Sequence, residues 1–572
     1  MLYLITFVYL ILLNCLSASY LLIITQLLYY SFMKHKLHQF LRITLFLGLG
    51  YVGLPVFAQA PALLWDKTFG GTGSEYGQVV VQTSDGGYLI GGYSNSNISG
   101  DKSQASQGIN DYWVVKVSST GVKEWDKTFG GTGSDQLYSL QQTTDGGYIL
   151  GGLSESGISG DKTEALKGSV DYWVVKISST GIKEWDKGFG GTGPDYLQTL
   201  RQTSDGGYLL GGNSQSGIGG DKTQASKGNS DYWVVKISST GTKEWDKTFG
   251  ANSADLLLSL QQTSDGGYML GGYSQSGLSG DKTQASKGGL NDYWIVKISS
   301  EGIKEWDKTF GGDGYDQLYS FQQTTDGGYL LGGYSNSSIS GDKTEASKGG
   351  FDIWVLKISS SGTIEWDKTI GGTGGEHFYG SVQTSDGGYV LAGFSSSGIS
   401  GDKTEASNGG TDYWLVKISG TGVKEWDKSF GGSGSDQLYS FQQTSDGGYI
   451  LGGLSDSGIS GDKTEAIQGS YDYWLVYISS VVTSTKEAAN GAAINIYPNP
   501  NNGECTLQLS GFKTEKAELI ILDVTGRKVL SKELKLHGTA FDEQVQLPKE
   551  KGIYLLQIKT NTQTITRKIV VE

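Results

Sequence analysis

A tryptophan–aspartate pair recurs at Trp65, Trp125, Trp185, Trp245, Trp306, Trp366 and Trp426, in steps of 60 residues with one step of 61. A turn-like "DGGY" starts at Asp85, Asp145, Asp205, Asp265, Asp326, Asp386 and Asp446. A third block, "DYW" with Ile353 replacing tyrosine once, starts at Asp111, Asp171, Asp231, Asp292, Asp352, Asp412 and Asp472. The first and third blocks hold all fourteen tryptophans. A fixed period of this length leaves a solenoid, a propeller or a string of small domains. The phase is the strongest constraint. "LLWDKTF" opens the array at Leu63 with no "DYW" block before it, and the last "DYW" block runs out at Ser479 with no "EWDKTF" after it.

Within one period four strands can be placed. "LYSLQQT" (strand a) is followed by an Asp-Gly hairpin turn and "YILGGLS" (strand b). After a loop of Ser, Gly, Asp, Lys and Ala comes "DYWVVKIS" (strand c), then "STG" and "IKEWDKGF" (strand d). Four antiparallel strands in about 60 residues fit one propeller blade. A β-helix coil is too short to need such a period, and each unit has too few apolar residues for a core of its own. Strand c is apolar on both faces, with Trp173, Val175 and Ile177 on one and Tyr172 and Val174 on the other, as a strand packed between blades requires. Strand d alternates Lys183, Trp185 and Lys187 with Glu184 and Asp186, charges that would blunt an exposed outer edge. Gln141 and Gln142 at the end of strand a suit a central channel. Seven a–b–c sets and a displaced first strand d predict a closed ring in which the first strand completes the last blade. The fold class expected is all-β: a seven-bladed β-propeller over 61–479 and a small β-sandwich behind it. The copies resemble bacterial β-propeller repeats of the "G…D.wvvki…G…w.k.fGG" type over most of 62–479, which implies a fold and no chemistry.

Composition agrees. The chain has 89 glycines and 6 prolines among 572 residues, a balance of short strands and tight turns. The net charge of −14 is uneven: residues 61–493 hold 31 basic and 50 acidic residues. Such a body repels phosphate backbones and anionic lipid, so nucleic acid is excluded as a partner. Residues 1–60 are a leader. Lys34, Lys36 and Arg42, an apolar stretch from Ile43 to Phe57, and Ala58-Gln59-Ala60 form a signal peptide that starts at Met33 and is cleaved after Ala60. Met33 rather than Met1 is then the expected start, although residues 3–32 are long enough for a membrane anchor. Cys15 lies in the leader, so Cys505 alone would remain and no intrachain disulfide can form.

Residues 480–493 read as a linker. Beyond it stand Tyr497-Pro498-Asn499-Pro500, Gly503, Asp523, Gly526-Arg527, Gly552, Tyr554 and a terminal "KIVVE". Residues 494–572 resemble the type A C-terminal sorting domain of the Bacteroidetes type IX secretion system. The resemblance implies passage through the periplasm, export by the type IX machinery, removal of the domain, and in many members attachment to surface lipopolysaccharide. Cys505 is expected in the core of this domain.

Catalytic motifs are missing from the sequence. Only His377 and His537 follow the leader, and there is no H-E-x-x-H, paired cysteine or G-x-S-x-G elbow. "GGTGSD" lacks a P-loop lysine and joins two strands. Two sets of aspartates fall in loops on one end of the ring. Asp101, Asp161, Asp221, Asp281, Asp342, Asp402 and Asp462 lie in the b–c loops. Asp135, Asp195, Asp255, Asp316 and Asp436 lie in the d–a loops. They are the candidate ligand-face residues; Ca²⁺ is an open alternative, and no D-x-D-x-D-G pattern supports it. Asp85 and Asp111 with their counterparts read as structural turn and strand-start residues. Arg201 and His377 break the repeat and are the positions to test for catalysis. The expected function is an exported binding or adhesion protein for an extracellular glycan or protein, without enzymatic activity. A glycan-active hydrolase or lyase on the same scaffold, or a purely structural surface protein, are the alternatives.

Overall fold

The computed structural model describes residues 60–479 and, beyond them, 493–497, 501, 503–510, 516–523, 527–535, 540–547, 550, 552–560 and 564–571. Met33, Ala58, Pro498, Asn499, Pro500 and Gly526 lie outside the described residues. All regular elements among the described residues are β-strands. The first four-stranded antiparallel sheet is β2 (Glu75–Gln82), β3 (Tyr88–Ser94), β4 (Asp111–Val117) and β5 (Lys123–Phe129), in that order across the sheet. Five further sheets repeat this order from β6 (Asp135–Gln142) to β25 (Lys424–Phe430). The last takes β26 (Asp436–Gln443), β27 (Tyr449–Ser455) and β28 (Asp472–Ile478) from one end of the array and β1 (Leu63–Phe69) from the other, in the order β1-β28-β27-β26. These sheets have the form of propeller blades. The a–d reading is borne out, with strand a starting two residues earlier than expected.

The pairing of β1 with β28 is antiparallel and sets Trp65 against Tyr477, Thr68 against Trp474 and Phe69 against Tyr473. Across it the Trp474 indole N–H donates to Asp66 Oδ2 at 3.0 Å. The Trp113 indole donates to Asp126 at 3.1 Å inside the first sheet, and Trp173 to Asp186 at 3.2 Å inside the second. This bond explains why each "WD" is matched by a "DYW" and corrects one expectation. Asp186 does not blunt an exposed edge; it is buried and also receives the Thr163 N–H and the Lys183 ammonium. A buried carboxylate is tolerated only when it is bonded this fully.

The hydrophobic cores lie between sheets. Leu89, Tyr112 and Val114 of the first sheet pack with Leu137, Leu140, Leu150 and Trp173 of the second. The Tyr112 hydroxyl reaches across to the Trp173 carbonyl at 3.0 Å. The same contact closes the last interface onto the first: Tyr473 donates to the Trp113 carbonyl at 3.0 Å, and Val80, Ile90 and Trp113 share a core with Ile450, Tyr473 and Leu475. The a strands β2, β6, β10 (Asp195–Gln202), β14 (Asp255–Gln262), β18 (Asp316–Gln323), β22 (Glu376–Gln383) and β26 touch one another in that cyclic order, β26 meeting β2.

Behind the array stand two smaller antiparallel sheets. One is β29 (Ala493–Tyr497), β30 (Glu504–Ser510) and β33 (Ala540–Gln546). The other is β32 (Lys528–Lys535), β31 (Lys516–Asp523), β34 (Gly552–Lys559) and β35 (Thr564–Val571). Leu507 and Leu509 from the first sheet and Leu519, Ile521, Leu556 and Ile569 from the second share one core with Cys505. Cys505 is free and buried, as expected, and burial raises its thiol pKa.

Candidate functional site

Each a strand carries a β-bulge after its third residue, seen in β6 as a register shift between Leu137 and Ser139. The extra residue has no partner on strand b, and a bulge of this kind re-aims its side chain. The bulge residues are Gln78, Tyr138, Gln198, Leu258, Tyr319, Tyr379 and Tyr439, and all seven line one central cavity of about 750 Å³. Tyr319 and Tyr379 meet edge-on at 5.2 Å, and Tyr379 and Tyr439 at 4.9 Å, so three neighbouring sheets present a continuous aromatic arc. Glutamines two residues upstream fix some of these rings. The Tyr138 hydroxyl donates to Gln136 and the Tyr439 hydroxyl to Gln437, each at 2.6 Å. Burial raises the Tyr439 phenol to about 12 and Tyr379 well above its ordinary value, so both are neutral at any physiological pH.

Toward the tight-turn end the cavity wall is stitched by glutamines. Gln141 Oε1 accepts the Gln202 N–H at 2.8 Å, Gln261 that of Gln323 at 3.1 Å, and Gln442 that of Gln82 at 2.8 Å. One residue on, Gln142 Oε1 accepts the Ser84 N–H at 2.8 Å. The expected channel glutamines are thus present at this end, their amides engaged with neighbouring backbone. Gln202, Gln261, Gln262 and Gln322 line the cavity. Arg201 stands where its neighbours have Gln141 and Gln261. A guanidinium has no acceptor, so Arg201 cannot make that stitch. It lines the cavity instead, and Nη1 donates only to the Leu200 carbonyl, at 2.8 Å. Desolvation lowers its pKa. His377 is elsewhere: its ring stacks on Phe394 at 4.7 Å and meets Tyr334 at 4.7 Å, and burial favours its neutral form. It does not line the cavity that Arg201 enters, so the two repeat-breaking residues are not brought together.

The candidate aspartates are structural in their contacts. Asp135, Asp195, Asp255, Asp316 and Asp436 are fully buried at the first residue of strand a, not in an open loop. Asp135 Oδ2 accepts the Gly131 N–H at 2.7 Å and the Ser156 hydroxyl at 2.8 Å. Glu75 and Glu376 take the same place in two sheets. A carboxylate sealed inside its own loop cannot meet a ligand, which corrects that assignment. The b–c set pins neighbouring loops. Asp221 Oδ2 accepts the Gly190 N–H at 3.1 Å and the Lys167 ammonium at 2.5 Å. Asp281, Asp342 and Asp402 pair likewise with Lys227, Lys287 and Lys348, and Asp161 and Asp101 with Gln107 and Gln468. Asp462 accepts the Gly431 N–H at 3.2 Å. Among the described residues no three His, Cys, Asp or Glu side chains converge to hold a metal ion.

What the loops hold outward is aliphatic. Ile98, Ile158, Ile218, Leu278, Ile339, Ile399 and Ile459 occupy one equivalent position in the seven b–c loops and are each 66–71% exposed. The sequence contains the signal, an aliphatic residue in every "SG[IL]SG"-like loop, but periodicity alone does not say whether such a residue is inside or outside.

In the C-terminal region Asp523 Oδ1 and Oδ2 receive the Arg527 N–H and Nε at 3.0 and 2.9 Å, tying the end of β31 to the residue before β32. The buried Tyr554 donates to the Glu550 carbonyl at 2.9 Å, and Gly503, at φ +99°, accepts from Leu547. Tyr497 closes β29 and Gly552 opens β34. The motif residues among those described are therefore turn, strand-end and core positions of two sheets around one core.

Comparison with known proteins separates these regions. The regulatory protein FlaEY of Caulobacter vibrioides is 22% identical over 361 residues, covering 57% of this chain and 36% of that protein. The chain thus spans about a third of the length of that curated relative. An apocarotenoid oxygenase of Synechocystis aligns at TM-score 0.32 and 10% identity over 86% of this chain and 97% of its own. A glycoside hydrolase family 32 protein of Bifidobacterium adolescentis aligns at TM-score 0.24 and 9% identity, over 89% and 96%. Residues 495–572 match the family model of the secretion system C-terminal sorting domain. This segment is a type IX secretion C-terminal sorting domain, and it marks the chain for export to the cell surface or beyond.

Proposed function

We propose that residues 61–479 form a seven-bladed β-propeller closed by its first strand, joined through 480–493 to a sorting β-sandwich over 494–572, and that the exported protein binds an extracellular glycan or protein without turning it over. The leader 1–60, cut after Ala60, would deliver it to the periplasm, and the type IX machinery would carry it out, with surface lipopolysaccharide as an anchor. Closure is supported by the β1–β28 pairing and by the cyclic contacts of the a strands. The observation that carries the binding reading is the set of seven equivalent aliphatic side chains on loops pinned to one another. Exposed apolar groups on a rigid scaffold mark interaction surfaces, and their repetition suits a repeating or polymeric ligand through avidity.

Two experiments test this reading. Removing 494–572 is expected to strand a folded array in the periplasm; arrival at the surface regardless would refute the sorting role here. Screening the full chain on a glycan array and a polysaccharide panel is expected to show retention without product. Changing Ile158 to serine should weaken retention slightly, and changing Ile98, Ile158, Ile218 and Leu278 together should weaken it steeply. Product formation that Arg201→Ala abolishes would replace binding by catalysis.

A further inference from the structure

We propose that the central cavity is a second binding site, specific for a carboxylate-bearing sugar: Arg201 pairs with the carboxylate, and Tyr319, Tyr379 and Tyr439 supply faces for the sugar rings. The proposal rests on the array closing around the cavity, and it uses a surface distinct from the loop isoleucines.

Arg201 is the one charged residue among those lining the cavity; the rest are Gln, Ser, Thr, Tyr and aliphatic or aromatic side chains. In a chain of net charge −14, no carboxylate among the described residues lines the cavity beside this cation. At the equivalent position its neighbours Gln141 and Gln261 each accept an N–H from the next strand. Substituting arginine gives up that bond and leaves an exposed cation on the cavity wall. Among the described residues its donors, apart from Nη1 on the Leu200 carbonyl, have no protein acceptor. An incoming carboxylate can take two parallel N–H bonds from such a fork, and charge-assisted bonds of this kind are the strong ones.

The cyclic order of the a strands places β10, which carries Arg201, opposite β22 and β26, which carry Tyr379 and Tyr439. A ligand spanning the cavity meets the cation on one wall and aromatic faces on the other. Gln261 of β14 and Gln322 of β18 stand between them; their Oε1 atoms accept backbone N–H groups, which leaves the Nε2 groups to face ligand hydroxyls. A volume of about 750 Å³ is within the range of small-ligand sites and holds a short oligosaccharide or a chain end. An acidic peptide also carries carboxylates, but it brings no hydroxyl-rich ring with apolar faces to use the tyrosine arc and the amides together.

The test is calorimetry on the full chain with a galacturonic acid oligosaccharide, a galactose oligosaccharide of equal length, and hexaglutamate. Binding of the uronate is expected, at least about tenfold tighter than the other two and weakened by salt. Arg201→Gln restores the repeat's own residue, so the fold should survive, and it should weaken uronate binding about tenfold or more. Tyr379→Ala should weaken it several-fold, and serine at the loop isoleucines should leave it unchanged. Equal binding of the galactose oligosaccharide, equal binding by the Arg201→Gln chain, or no uronate binding overturns the proposal. Preference for hexaglutamate reassigns the cavity to acidic peptides and overturns the sugar. Uronate binding lost only when the loop isoleucines are changed would support the loop face and refute the cavity.

Discussion

The sheet built from both ends of the array differs from the other six in the ion pairs around strand c. In six sheets strand c carries a buried lysine, such as Lys116, whose ammonium meets Asp85 of the hairpin turn at 3.0 Å and Glu124 of strand d at 3.1 Å. In the seventh, strand c carries Tyr477 and strand d is β1, with Leu64 where the others have glutamate. Tyr477 donates its hydroxyl to Asp446 of the turn and lays its ring 5.4 Å from Trp65 and 5.9 Å from Tyr88. The lysine and glutamate of an ionic trio have been replaced by a tyrosine and a leucine, while the turn aspartate is kept. The two changed positions are more than 400 residues apart in the chain, and each would be unfavourable alone: a lysine facing Leu64 would lack a carboxylate, and a glutamate facing Tyr477 would lack a cation. The difference teaches that the seam is a matched interface and not an accidental contact of chain ends.

The largest effect expected is from removing one side of the seam. Deleting Ala62–Phe69 leaves β28 unpaired on one edge and Trp474 without Asp66. Loss of the buried Phe69, the Trp65 contact and the indole bond is expected to cost more than about 5 kcal/mol in chemical denaturation. A loss below about 1 kcal/mol would mean that the array does not depend on closure.

A finer probe is a double-mutant cycle. Tyr477→Lys alone should destabilise by about 2–3 kcal/mol, because it buries an ammonium with half of its usual partners. Adding Leu64→Glu should recover about 1 kcal/mol or more, since it rebuilds the trio of the other sheets. Strict additivity of the two changes would break the comparison.

Smaller and shared by all sheets is a pH effect. Burial, with a second carboxylate across the sheet interface, raises Asp111, Asp231, Asp412 and Asp472 to about 6. Such groups favour folding most below their unfolded pKa near 4 and lose that contribution as pH rises through 6. Asp85 and Asp145 go the other way: burial pushes them up, but the Thr83 or Thr143 hydroxyl, a glycine N–H and a lysine outweigh it and hold them at about 2. Their contribution is present above pH 4 and fades as pH falls toward 2. Thermal midpoints should therefore be highest near pH 4–5 and lower at pH 7.5, with Asp472→Asn reducing the alkaline slope. A midpoint that rises steadily from pH 5 to 8 would contradict the assignment of these carboxyls.

Much of this was legible in the residues. The displaced "LLWDKTF" and the missing final "EWDKTF" imply β1–β28, and the "DGG" turn implies the left-handed residue at Gly146, φ +84°. The sorting motif was readable because it occurs once, in order. Four things were not. Period-two alternation assigns Asp186 to an outer edge, and only the Trp173 indole places it inside. A bulge breaks that same alternation, so Tyr138 and its counterparts could not be assigned to the cavity. Asp135 opens strand a after "GGTGS", which looks like any polar loop until Gly131 and Ser156 fold back on its carboxylate. Arg201 was visible as a departure, but its lost stitch to the next strand was not.

Closure of the ring is tested most directly by amide hydrogen exchange on the intact chain, comparing Asp472–Ile478 of β28 with Asp171–Ile177 of β8. The account predicts equal protection, within about tenfold, for the β28 amides that face β1 and their β8 counterparts that face strand d. Exchange of the β1-facing amides at the rate of exposed loops, while the β27-facing amides stay protected, would show an open edge and contradict it.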